Sequence, residues 1–496
     1  MNIWCASFIS LGSLVLCTTA SADISEFTIG EAGCLVVNPR PQPNERIRWS
    51  GGCRAGFAEG LGVLEWYRED TLGQRYEGRL VAGQPEGIGT YTFLVGNSGN
   101  YTGSFKAGKR HGQGVLTMPN GQTRSGQFEN GELIGEVKIA GPGNHRYDGN
   151  WSQNAPNGQG RMQYSDGVQY EGGFKAGTRQ GSGALKFPNG QTVTGQFESG
   201  EASGEILIVG PGLYRYEGGW LNGLPDGRGQ MAYNDGATYK GDFKRGVRDG
   251  NGVATAPNGT RLEGNWRNNQ LEGTGIVIGA DGSRHEGEFQ NSQPHGKGKG
   301  TDPQGTIREG TWVGGQLSGE GRATWRDGSW YAGSFAAGAF DGHGVLHFRD
   351  GSEYTGEFKM GMRQGQGVLD DPSSGTRREG QWVANVLDGQ GEETTSNGMR
   401  YVGGWRAGRH HGEGVLELVA KGQRIEATWD NGTLHGPAVV SSAAGTASGK
   451  FVRGQFDGTW VLTFPGGNRI EVEYDMGTPR NAEALIHRPI LPDQGV

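Results

Sequence analysis

Three histidines stand in the same short frame, His111-Gly-Gln-Gly114, His295-Gly-Lys-Gly298 and His411-Gly-Glu-Gly414. A metal needs such ligands within a few ångströms of one another. Each of these histidines occupies the same place in a recurring unit, several units from the next, so they do not make one site. Carboxylates recur as well: Glu77, Asp148, Glu171, Glu217, Glu263, Glu286 and Glu309 each precede a glycine. They form a ladder along the polar side of an array rather than the close pair that acid–base catalysis requires. The many Gly-x-Gly pairs do not open a helix after a parallel strand, so they are not a dinucleotide fingerprint. No Ser/His/Asp or Cys/His set has a supporting context. The expectation is a chain that is not an enzyme and has no cofactor and no metal.

A sharper pattern is basic. Lys106 stands with Lys109 and Arg110, Lys175 with Arg179, Lys244 and Arg245 with Arg248, Lys359 with Arg363, and Arg406 with Arg409. Each group surrounds a loop glycine. The first three recur every 69 residues, about 30 Å on a sheet with strands ~4.8 Å apart. Two readings are open. Lys106, Arg110, Lys175, Arg179, Lys244, Arg248, Lys359 and Arg363 form an edge that meets anionic phospholipid or envelope polymer, or they are solvated loop charges balanced by nearby carboxylates.

The elements that position these residues follow from composition and period. Glycine makes up 97 of 496 residues, yet Phe, Tyr and Trp number 18, 15 and 13. So much glycine without a Gly-X-Y period, and with so many aromatics, points to repetitive β structure. The net charge of −7 argues against a nucleic-acid partner. Tyr101-Thr-Gly103-Ser-Phe105 returns as Tyr147-Asp-Gly149-Asn-Trp151, Tyr170-Glu-Gly172-Gly-Phe174, Tyr216-Glu-Gly218-Gly-Trp220 and Tyr239-Lys-Gly241-Asp-Phe243, always in steps of 23 residues. A second half follows, with Gly108, Gly112 and Gly114 repeated as Gly177, Gly181 and Gly183. Dipeptides such as Asn120-Gly121, Asp166-Gly167, Asn189-Gly190 and Asp235-Gly236 close the units. These are the residues that tolerate positive φ at both centres of a type I′ hairpin turn.

Alternate residues of a strand share a face. Tyr101, Gly103 and Phe105 therefore point one way, as do Gly112, Gly114, Leu116 and Met118. The glycines are expected to make room for aromatics of the neighbouring strand. The fold class is all-β: an elongated, single-layer, twisted antiparallel β-meander of about eighteen tandem hairpins. The period breaks by one residue near Asp371-Pro-Ser-Ser-Gly375 and again before Ile425, which reads as a loop insertion or a bend.

The unit Y-x-G-x-[FW]-x-x-G-x-x-x-G-x-G resembles the MORN repeat over roughly residues 49 to 477. The resemblance implies a non-catalytic scaffold with protein–protein contacts, dimerisation and, in some members, association with anionic phospholipids. The segment from Cys34-Leu-Val-Val-Asn-Pro to Trp49-Ser-Gly-Gly-Cys53 also resembles the lead-in of bacterial secreted members.

The remaining boundaries are read from the residues. Residues 1–22 read as a signal peptide, with an apolar core from Phe8 to Cys17 and cleavage after Ala22. Leu14-Val-Leu-Cys17 offers a lipoprotein signal as the rival. Cys34 and Cys53 then remain as an even pair for a disulfide in an oxidising compartment. They would staple a cap over residues 23–60. Tandem repeats cover 61–440, degenerate repeats and a capping hairpin 441–477, and a flexible tail 478–496. The expected function is an interaction scaffold of the cell envelope, periplasmic or secreted. Its partners are one or more unidentified proteins, with self-association as a homodimer also in view. The alternative is an adaptor on an anionic membrane or envelope polymer.

Overall fold

The computed structural model describes residues 27–29, 33–38, 43–95, 99–211 and 214–480. The signal-peptide reading of 1–22 and most of the 478–496 tail lie outside them. The chain divides into two compact units, 1–234 and 235–496. In the first, each strand from Thr71–Val81 to Tyr214–Leu221 pairs antiparallel with the strand before it and the strand after it. The second has the same order from Val247–Thr255 to Arg469–Asp475. Each unit is thus an open antiparallel β-meander.

One hairpin explains the rest. Strands Gly99–Lys106 and Lys109–Thr117 are joined by Ala107 and Gly108, at φ 48° and 77°. Both centres are left-handed, which is the type I′ geometry that matches strand twist. The Asn-Gly dipeptides behave otherwise. Gly121 has φ 82°, but Asn120 does not share the positive φ, and Asn120 Oδ1 accepts the Gln122 N–H at 3.0 Å. The Gly121 N–H reaches the Met118 carbonyl at 3.0 Å and the Met118 N–H reaches the Gln122 carbonyl at 2.7 Å. This is a type I turn closed by a left-handed glycine. The sequence expectation of type I′ at Asn-Gly is corrected. The I′ turns sit at the opposite edge, where the strands leave only two residues to turn in, and Ala107 adopts αL at a cost of about 1–2 kcal/mol.

The pairing of these two strands slips between Gly103 and Phe105: Gly103 faces Gly114, but Phe105 faces Arg110. The slip is a bulge. It frees the carbonyl of Ser104, which accepts the Tyr101 hydroxyl at 3.0 Å. The same bond joins Tyr170 to Gly173, Tyr331 to Ser334 and Tyr401 to Gly404. Burial pushes the Tyr331 and Tyr401 phenols up to about 12, so they stay protonated donors.

The aromatic–glycine packing is present. A Cβ on Gly114 would stand 2.5 Å from ring carbons of Tyr101, which belongs to the neighbouring strand. Tyr101, Tyr170, Tyr239 and Tyr354 are fully buried, and Phe105, Phe174 and Phe358 nearly so. Rings meet edge to face, as Tyr170 does with Phe174 and Phe197 at 5.1 Å each. One sheet therefore buries its aromatics without a second layer.

At the start of the first unit, Cys34 and Cys53 form a disulfide with Cα atoms 5.7 Å apart. Trp49 takes the tyrosine position, and a Cβ on Gly62 would touch its ring. Near the end of the described residues, strand Arg469–Asp475 pairs with Gln455–Thr463 on one side and with the two-residue strand Thr478–Pro479 on the other. The extra residues at 371–375 and before Ile425 are absorbed in turns, and the flanking strands keep their ladder.

Candidate interaction edge

The two-residue turns form one edge of each unit, and the second residue after each turn decides what lies beneath it. That residue folds over the aromatics. Leu133, Leu271, Leu317, Leu387 and Leu434 fill the place in five hairpins and are buried. In four others it is an arginine. Arg110 lies 5.8 Å over Tyr101 and 5.4 Å over Phe128 of the next hairpin. Arg179 lies 5.8 Å over Tyr170 and 5.9 Å over Phe197. Arg248 lies 5.6 Å over Tyr239 and 4.4 Å over Trp266, and Arg363 5.5 Å over Tyr354 and 4.6 Å over Trp382. Each also donates to a main-chain carbonyl in the next turn, those of Gly131, Gly200, Asn269 and Asn385. Burial lowers the pKa of Arg110 and of Arg363.

The eight basic residues singled out in the sequence therefore divide. Arg110, Arg179, Arg248 and Arg363 turn inward and hold successive hairpins together. Lys106, Lys175, Lys244 and Lys359 stand exposed on the turns, with Lys359 paired to Asp341 at 3.1 Å. In the first unit the basic turns are separated by acidic ones, Glu129 with Glu132 and Glu198 with Glu201. No uninterrupted basic stripe results there.

The second unit is different. Its eight consecutive turns from Lys244–Val247 to Arg406–Arg409 contain no carboxylate. At one end Lys244, Arg245 and Arg267 line an open groove of 760 Å³ together with Asp249, Asn265 and Glu272. Arg245 is grouped with Lys244 in the sequence but is not one of the eight, and Arg267 is missed because its turn, Asn268-Asn269, has no loop glycine. Toward the middle the turns become apolar: Val313, Met360 and Val383 are 52%, 70% and 39% exposed. The opposite edge of this unit carries Asp281, Asp327, Asp350 and Asp371. Hydrogen bonds from the serine two residues on hold each carboxyl below its usual range.

The polar face carries the carboxylate ladder, and each of the seven has a cation. Glu77, Glu171, Glu217, Glu263 and Glu286 pair with Arg75, Arg161, Arg215, Arg261 and Arg284 at 2.6–2.8 Å. Asp148 and Glu309 pair with Lys138 and Lys299. Such exposed pairs contribute little stability, but they neutralise the face. Among the described residues no group of three or more His, Cys, Asp and Glu is placed to hold a metal.

One polar cluster sits inside the second unit. Arg378 occupies a tyrosine position, and Glu393 and His410 occupy positions that are aliphatic in many repeats. Arg378 Nε and His410 Nε2 lie 2.8 and 3.3 Å from the Glu393 carboxylate. The His410 ring stacks on Tyr401 at 3.6 Å. The adjacent residue His411 reaches Asp430 instead, so the two neighbouring histidines do not converge.

Comparison with known proteins gives one family. The model of the MORN repeat matches thirteen segments between 76–98 and 401–419, together more than half of the chain. No curated protein matches. Among solved structures, a mutant TCP10 domain of Danio rerio CPAP is 16% identical, with 45% of this chain and 99% of that one covered at a TM-score of 0.23. The SAS-4 (dCPAP) TCP domain of Drosophila melanogaster, in complex with a proline-rich motif of Ana2 (dSTIL), is 13% identical over 36% and 85% at 0.20. A streptogramin B lyase is 14% identical over 64% and 89% at 0.10. Similarity at these scores carries no functional argument.

Proposed function

The chain belongs to the MORN-repeat family, and on that premise we propose that it is a non-catalytic interaction scaffold of the cell envelope that contacts protein partners. The observation that supports this reading is where apolar surface is left over. The aromatics are buried in the sheet, and the polar face is neutralised by its own ion pairs. Val313, Met360, Met362, Val383 and Val386 remain exposed on neighbouring turns of the second unit. A contiguous apolar patch of this kind favours partner contact. The periplasmic or secreted setting draws support from the bridged Cys34 and Cys53, since disulfides persist in oxidising compartments.

The anionic-surface reading is weaker on two counts. Four of its eight residues are engaged over aromatic rings. The exposed turns carry no Trp, Tyr or Phe, the residues that anchor at a bilayer interface.

Photo-crosslinking from a reactive amino acid placed at Ala337, in intact cells, tests the reading. A discrete protein adduct that is lost in Met360→Asp is expected. Adducts to lipid alone would overturn it in favour of the membrane adaptor.

A further inference from the structure

The turns of the second unit have a charge order as well as an apolar centre. Lys244, Arg245 and Arg267 lie at one end and Arg406 and Arg409 at the other, in a chain of net charge −7. Carboxylates stand beneath the turns and keep their charge, Asp249, Glu272, Asp341 and Asp388 among them, but the turn residues themselves are basic or uncharged. Glu272 accepts the Asn291 N–H at 2.9 Å and Asp388 the Ala407 N–H at 2.9 Å. The turns therefore run basic at Lys244 and Arg267, uncharged at Gln290–Gln293, apolar from Val313 to Val386 with only the Asp341-paired Lys359 among them, and basic again at Arg406 and Arg409.

We infer that this edge receives an acidic amphipathic helix of a protein partner, an assignment that rests on the scaffold reading and names the partner's chemistry. The spacing selects the helix. Successive turns are two strands apart, about 10 Å. A helix advances about 10.5 Å in seven residues, so one apolar residue per heptad meets each turn from the same face. An extended segment covers about 10 Å in three residues, an odd number, so its side chains would alternate between facing the edge and facing away. The four apolar turns span about 30 Å, and the basic turns at Arg267 and Arg406 lie six steps apart, about 60 Å, the length of roughly 40 helical residues. Acidic residues at both ends of the helix then meet the basic turns. A second copy of the edge is a poor occupant. Parallel or antiparallel, its basic ends would lie against basic ends, and like charges brought together at an interface oppose binding.

Fluorescence anisotropy of the whole chain with synthetic six-heptad helices tests this. One probe carries a leucine stripe with glutamate at both ends, and the other carries lysine in place of glutamate. The glutamate probe is expected to bind, at least tenfold more weakly in Met360→Asp, in Lys244→Glu with Arg267→Glu, and at raised salt. The lysine probe is expected not to bind. Circular dichroism of each variant establishes that it is folded. Equal binding of both probes, or binding indifferent to these substitutions, overturns the inference. So does retention on phosphatidylglycerol vesicles with no binding of the glutamate probe. If the probe fails while Ala337 still yields a protein adduct, the helix assignment falls and the scaffold reading stands. If both are silent, both fall.

Discussion

The guanidinium of Arg363 lies 4.6 Å above the ring of Trp382 and donates at 2.7 Å to the main-chain carbonyl of Asn385, both on the following hairpin. One side chain thus joins two repeats through ring contact and a charged hydrogen bond. Leucine holds the same place in five other hairpins. Arg363→Leu should therefore change stability by less than about 1.5 kcal/mol. Arg363→Ala, which empties the place, should cost about 2 kcal/mol or more. Urea midpoints of the two variants separate the cases. Equal loss in both would mean that the guanidinium, not its volume, is what matters.

Gly114→Val should be severe. Its Cβ would enter the ring of Tyr101, with the backbone of Gly103 opposite. Overpacking of this kind costs about 1–3 kcal/mol. Gly466→Ala is the matched control, since nothing lies within 4 Å of its Cβ. If thermal melts of the two variants coincide, aromatic–glycine packing does not stabilise the sheet.

Tyr354→Phe isolates the bulge bond. Tyr354 donates to the Glu357 carbonyl at 3.2 Å, and the variant leaves that acceptor unsatisfied. A loss of about 1–2 kcal/mol is expected. No change in chemical denaturation would show that the carbonyl is served by solvent.

Glu393 predicts a pH dependence. Burial raises its pKa, but hydrogen bonds from His410 and Arg378 and the Arg378 charge outweigh burial, so the carboxyl is held below its usual value. A folded pKa below the unfolded one stabilises the protein above the unfolded value, and that stability is lost as pH falls through the folded one. Melting of the wild type should therefore drop more steeply below about pH 5 than that of Arg378→Tyr with Glu393→Leu, which restores the residues of neighbouring repeats. Parallel melting curves across pH would refute this.

Reduction of the disulfide should loosen the first unit. Cys34 and Cys53 are 19 residues apart, and closing a loop of that size is worth roughly 3 kcal/mol. Comparing melts with and without reductant, against Cys34→Ala with Cys53→Ala, reads the effect. Identical melts would leave the cap without a stabilising role.

The period, the strand pair per repeat, the aromatic face and the packing of Tyr101 over Gly114 were all legible in the sequence. They depend only on the two-residue alternation of a strand and on residue size, and both are written in one dimension. The cysteine pair was legible for the same reason, being the only pair after residue 22.

What the sequence hid depends on the third dimension. It placed the type I′ turn at Asn-Gly, whereas Ala107-Gly108 takes it, because turn length is set by where the strands stop pairing. It could not give the bulge after Gly103, and so could not say why the buried ring is tyrosine rather than phenylalanine. It grouped Lys106 with Arg110 and Lys244 with Arg248 as one basic set. Only the folded sheet decided that each lysine stays in solvent while each arginine turns back over an aromatic ring. Neighbouring residues on either side of a turn point to different surroundings once the strands pair, and linear order does not record that.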